Sequence, residues 1–292
     1  REPMRIVRAT REQKPIALQI QPQLIGRGFM LSPDGSRLAV NTSASAIPLL
    51  IDLRRGTTVK LEDTGLVEVS SLAWAPDGRQ LAISGPVAGR GRWGVHLKNV
   101  DGSGEPEPLV APENIEIHLA GWTPDGETLI AFGGRPGQAR MEIMRVRRGK
   151  AREVIHLEPG ALSSARLSPD GRWLAYDSTA TGVFEVYVLP LSGPGGRVPV
   201  TATGGMMPFW SPDGRELLFR RDRAVLAVPV KTIGTTIEFG AERKLFEWDT
   251  ARDWAIAPNG DIYGAEPVPG AALQTTIQLR TGWFAELQRL IR

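Results

Sequence analysis

Six times along this chain a run of apolar residues stops at a four-residue turn and a second apolar run begins. The clearest copy is Pro208-Phe209-Trp210-Ser211-Pro212-Asp213-Gly214-Arg215-Glu216-Leu217-Leu218-Phe219. The others centre on Ser32-Pro33-Asp34-Gly35, Ala75-Pro76-Asp77-Gly78, Thr123-Pro124-Asp125-Gly126, Ser168-Pro169-Asp170-Gly171 and the degenerate Ala257-Pro258-Asn259-Gly260. Proline presets φ at about −65°, aspartate accepts from nearby amides, and glycine takes the positive φ that closes the turn, so each copy predicts strand, turn, strand. From proline to proline the spacings are 43, 48, 45, 43 and 46 residues, close to the roughly 40–45 residues of a four-stranded propeller blade. The pattern predicts an all-β chain, a six-bladed β-propeller of four-stranded antiparallel blades.

Blades are expected over about 28–61, 69–110, 115–157, 162–200, 206–246 and 252–280, within a single domain spanning 15–292. Inner strands of a propeller are covered on both faces, so they should be apolar on both sides. One large apolar residue precedes each turn (Leu31, Trp74, Trp122, Leu167, Trp210 and Ile256), and these six are the predicted inter-blade core. Residues 1–14, with five cations and few apolar residues, read as a linker holding one short strand at Met4 to Val7. Pro15 to Ile20 reads as a spare strand that completes the last blade, which otherwise finds only Thr275 to Arg280 after its hairpin. Lys231 to Glu242 is the longest loop expected inside a blade. At the end, Trp283, Leu287 and Leu290 recur at i, i+4 and i+7 behind Thr281, predicting a short carboxy-terminal helix over 282–291 that packs on the propeller.

Composition narrows the function classes. Cysteine is absent, which removes disulfides and thiolate metal sites. The 35 basic residues against 32 acidic ones are spread along the chain, so no nucleic-acid partner is expected. No apolar run reaches the length of a membrane span, and membrane insertion by this segment is not expected. The first residue is Arg1 rather than methionine, which suggests a processed chain or a portion of a longer protein.

The second half carries a resemblance. The run Ser168-Pro169-Asp170-Gly171-Arg172-Trp173-Leu174-Ala175-Tyr176 is followed by Gly182-Val183-Phe184-Glu185-Val186-Tyr187-Val188-Leu189-Pro190, then Gly193 to Arg197, Gly204-Gly205, the Pro208 to Phe219 stretch and Leu226 to Val230. This order resembles the TolB-like propeller repeat, notably in the carboxy-terminal propellers of bacterial serine/threonine protein kinases of the eukaryotic type. Trp283-Phe284-Ala285-Glu286-Leu287-Gln288-Arg289-Leu290 is similar to the Asn-Trp-Phe-Glu-Glu-Leu-Lys closure of those chains, with Gly282 in place of the asparagine. The resemblance covers about Ala161 to Arg292. It implies a sensor or protein-interaction propeller that is placed, in the kinases, outside the membrane behind a single span.

Candidate chemistry is sparse. Gly89-Arg90-Gly91-Arg92-Trp93-Gly94 has GxGxxG spacing but precedes a predicted strand, so it reads as a hairpin tip. No G-x-S-x-G elbow occurs, and His96, His118 and His156 fall on separate predicted strands. A calcium-dependent lactonase would ring its channel with carboxylates, whereas the inner-strand starts offer only Glu68, Glu116 and Asp253. The basic hairpin Arg145 to Arg152 reads as a solvated tip. Counting back equally from each turn places Arg27, Ser70, His118, Ser163, Met206 and Arg252 around the channel mouth. Two arginines and a histidine there favour an anionic group such as a partner's carboxylate. The expected site is therefore Arg27, Glu68, Ser70, His118, Ser163 and Arg252, on a monomeric, non-catalytic domain that needs no cofactor or metal. It would bind a protein or peptide, with a small anionic ligand as the variant of that reading. The competing readings are a stand-alone lactonase- or hydrolase-type propeller enzyme using the central channel, and a scaffold.

Overall fold

In a computed structural model the described residues are 3–10, 15–21, 25–42, 47–88, 92–135, 137–138, 140–193, 195–248 and 253–268. They form six antiparallel sheets, each running outward from an innermost strand: Ile25–Leu31, Ser71–Trp74, Glu116–Trp122, Ala165–Leu167, Met206–Trp210 and Trp254–Ile256. Each innermost strand touches the next, and Trp254–Ile256 touches Ile25–Leu31, so the ring closes around a central channel.

The second strands show how one sequence serves two faces. Leu38 and Val40 pack toward the sixth blade while Ala39 packs toward the second. Leu81 and Ile83 face the first blade and Ala82 the third. Leu174 and Tyr176 face the third blade and Trp173 and Ala175 the fifth. Side chains alternate across a strand, so each interface takes every second residue and the whole run must be apolar. All six residues before the turns join or border these interface clusters, and Trp74 and Trp210 also donate Nε1–H to the carbonyls of Met30 and Arg166 on the preceding blade, at 3.0 and 3.1 Å.

The turns are built alike. Ser32 Oγ donates to Asp34 at 2.6 Å, the amide of Ser36 donates to the same oxygen, and Gly35 closes back on the Ser32 carbonyl. These donors hold the Asp34 carboxyl down at about 2. Five of the six turn glycines, all but Gly260, also face the proline of the preceding turn around the ring: a Cβ on Gly171 would collide with Pro124, and one on Gly78 would lie 3.8 Å from Pro33.

The last blade differs from expectation. Its order is Ile16–Ala17, Met4–Ala9, Ile262–Pro267, Trp254–Ile256, two strands from each end of the chain. The closing strand is thus Met4–Ala9, which lies within the segment expected as a linker and pairs along its length with Ile262–Pro267. Ile16–Ala17 is only an exposed two-residue edge. The cations misled the reading: Met4, Ile6, Val7 and Ala9 are buried, while Arg5 and Arg8 pair with Glu266 and Asp261. The expected loop in blade five is a hairpin that extends the third strand, Ala224–Ile233 with Thr236–Phe239, and Arg243–Glu247 pairs with the first half of that third strand. The strand expected at Thr275 to Arg280 and the helix expected over 282–291 lie outside the described residues.

Candidate functional site

The end of the channel where innermost strands begin is organised by polar groups projecting from one blade to the next. The central one is Asp177, near the end of the second strand of blade four, Trp173–Ser178. It is fully buried, and its two oxygens accept from Ser163 N, Ser164 N and Met207 N at 2.8 to 2.9 Å and from Ser163 Oγ at 3.0 Å. Burial pushes its carboxyl above the usual range, against the pull of those donors. Met207 reaches it because the innermost strand of blade five bulges between Met206 and Phe209, turning Met207 to a φ of 54°. Asn41 and Ser84 occupy the same place in their blades: Asn41 Nδ2 donates to the Val69 carbonyl, and Ser84 shares a 2.6 Å hydrogen bond with Ser71, whose hydroxyl also accepts from Leu119 N. Asp253, at the start of blade six, accepts from Gly28 N of blade one at 3.2 Å.

Within this frame lies Arg166, from the innermost strand of blade four. Its Cζ stands 4.5 Å from the centroid of Phe209 on blade five, and its charge is felt by Asp253 on blade six as well as by Asp177. Arg166 thus packs against the innermost strand of blade five, at the inner edge of the ring. Burial pushes the guanidinium down, and the two carboxylates oppose that shift. Phe209 in turn packs on Trp254, centroids 4.9 Å apart.

The expected site residues meet different fates. Ser163 is spent on Asp177. His118 packs its ring between Phe132 (5.3 Å) and the edge of Trp93 (5.7 Å). Ser70 is half-buried and gives its amide to the Ser84 carbonyl, and Glu68 is exposed with its carbonyl pressed over Gly85. Arg27 belongs to the first strand of blade one, and Arg252 lies outside the described residues. Among the described residues no group of three or more potential metal ligands clusters. The cations of the basic hairpin are largely paired: Arg145 and Arg147 with Glu153, Arg148 with Glu107, Arg152 with Glu113 and Glu142. Residues 89–91 of the glycine-rich motif lie outside the described residues, and Trp93–Asn99 is a strand.

Arg166 had a signal in the sequence that the count back from each turn missed. The residues one place before the pre-turn position are Met30, Ala73, Gly121, Arg166, Phe209 and Ala255, so a single cation stands in an otherwise apolar column.

No family model matches the chain. An uncharacterized protein of Agrobacterium fabrum is 28% identical over 191 residues, 64% of this chain, and the match spans 63% of that relative's length. Among solved structures, a protein provisionally assigned as TolB from Agrobacterium tumefaciens superposes with a TM-score of 0.71 at 21% identity, over 92% of this chain and 99% of that one. TolB from Acinetobacter baumannii gives 0.57 at 16% identity, over 92% of this chain and 64% of that one. A protein provisionally assigned as a 6-phosphogluconolactonase from Bacteroides fragilis gives 0.57 at 15%, over 89% and 86%. Together with the six sheets, these likenesses establish the fold as a TolB-like six-bladed β-propeller.

Proposed function

We propose that this propeller is a non-catalytic recognition module, holding a partner protein or peptide at the channel mouth within a membrane-associated signalling protein of the serine/threonine kinase type. The observation that carries this reading is the way the mouth spends its polar groups. Ser163, a hydroxyl of the expected site, donates directly to a carboxylate that already accepts three backbone amides. A nucleophile needs a base with capacity to take its proton, and Asp177 is instead committed to holding blades four and five in register. A rigid, pre-formed rim suits binding, because little conformational entropy is lost when a partner docks. The resemblance of the second half to kinase propellers supports the signalling context, and the likeness to TolB supports the recognition class.

The test is a pull-down from lysate with the wild-type domain beside the combined variant Arg27→Ala, His118→Ala, Arg252→Ala. Capture by wild type alone supports recognition at the mouth, and equal capture by both moves the site to an edge of the disc. The likeness to the assigned 6-phosphogluconolactonase favours the enzyme alternative. Hydrolysis of lactone probes above background would replace the recognition reading with it.

A further inference from the structure

Most polar groups inside this propeller have found partners, and Arg166 is the exception that matters for binding. Among the described residues its guanidinium makes one hydrogen bond, Nη1 to the carbonyl of its own neighbour Ala165 at 2.9 Å. Its Nε is shut off from solvent and has no acceptor. Asp177 and Asp253 lie close enough to act on its charge, yet no hydrogen bond joins either to Arg166; Asp177 accepts from Ser163, Ser164 and Met207, and Asp253 accepts from Gly28 and Trp254 among its contacts. Three indole donors, Nε1 of Trp122, Trp173 and Trp254, also lack acceptors, and the last belongs to the ring that packs on Phe209, the same ring that carries the Arg166 guanidinium.

Buried donors are nearly always satisfied, so an open one calls for an explanation; Nε is closed to solvent, whereas Nη2 is neither shut off nor hydrogen-bonded among the described residues and is the donor a ligand would reach. A guanidinium stacked on an aromatic ring presents its N–H edge at right angles to the stack, the geometry that grips a carboxylate through two parallel bonds. The flanking acids oppose the effect of burial on its charge without occupying that edge.

From these contacts we propose that the channel holds a carboxylate-binding subsite in which Arg166, steadied on Phe209, takes the carboxylate of an incoming ligand. The proposal rests on the recognition reading and gives it a ligand class: an acidic side chain or free carboxy terminus of a peptide, or a small organic acid. Water in place of the ligand is the competing occupant.

The experiment is calorimetric titration of the domain with succinate and with acetyl-Gly-Gly-Glu, each beside its amide counterpart. Saturable binding of either acid but not its amide is the expected result. The peptide binding more tightly than succinate marks a macromolecular source, and the reverse marks a metabolite. Arg166→Gln should weaken binding by about tenfold or more, as loss of a charged hydrogen-bonding partner does. Arg166→Lys should recover only part of it, and Arg148→Gln on the distant hairpin should leave it unchanged. No binding by wild type, or equal binding by folded Arg166→Gln, would overturn the subsite. The pull-down outcome would stand independently, so failure here is separable from failure of the recognition reading.

Discussion

Gly35 of the first turn and Pro258 of the last meet at the seam of the ring, where a Cβ on the glycine would come within 2.8 Å of the proline Cδ. With a φ of 69° Gly35 is also in the left-handed region. Gly35→Ala therefore adds backbone strain to a clash and should cost about 2–3 kcal/mol. Gly260→Ala meets no atom within 4 Å and carries the strain alone, about 1 kcal/mol. Urea unfolding of the two variants checks the difference.

The second prediction concerns the closing strand. Ile6 is buried in the cluster that joins blades five, six and one, whereas Ile16 is 57% exposed on the edge. Ile6→Ala should destabilise by about 3 kcal/mol, and Ile16→Ala by less than about 0.5 kcal/mol. Thermal melts in which Ile16→Ala proves the more damaging would return the closure to residues 15–20.

Glu158 gives a pH dependence. It is fully buried between blades three and four; burial alone would raise its carboxyl, but His156, Ser178, Tyr176 and Arg197 all donate to it and hold it down at about 2. A carboxyl lowered on folding stabilises above its unfolded value and loses that contribution as pH falls through the folded one. Glu158→Gln should cost about 3 kcal/mol at neutral pH. The gap between mutant and wild-type unfolding should narrow from about pH 4 toward pH 2, and a constant gap across that window would refute the assignment.

Asp177→Asn tests the junction of blades four and five. An amide cannot accept at both ends, so at least one of its four donors loses its acceptor, at about 1–3 kcal/mol. Hydrogen exchange should report faster exchange at Met207, Ser163 or Ser164 while the Pro-Asp-Gly turns stay protected.

Much of the fold was legible because the repeat writes it six times. The turn fixes two strands per blade, and unbroken runs such as Trp173-Leu174-Ala175-Tyr176 announce burial on both faces. The closing strand was hidden because Arg5 and Arg8 look like linker residues until Glu266 and Asp261, near the far end of the described chain, supply their partners. The site was harder to read for a related reason. Counting residues back from each turn assumes six regular strands, whereas bulges follow Ile25, Leu119 and Met206 and shift which residues reach the channel. Arg166 sits on an unbulged strand, and only comparison down the repeat isolates it.

A ring of six similar turns would offer any partner on that face six equivalent ways to sit. The hairpin raised from blade five removes the ambiguity. Its tip, Gly234, accepts from Arg172 in the turn of blade four, and Ile237 is anchored in the cluster between those two blades. One sector of the turn face is therefore built up and held in place. It gives a nearly sixfold disc a fixed rotational landmark, so a partner docking there meets one orientation instead of six.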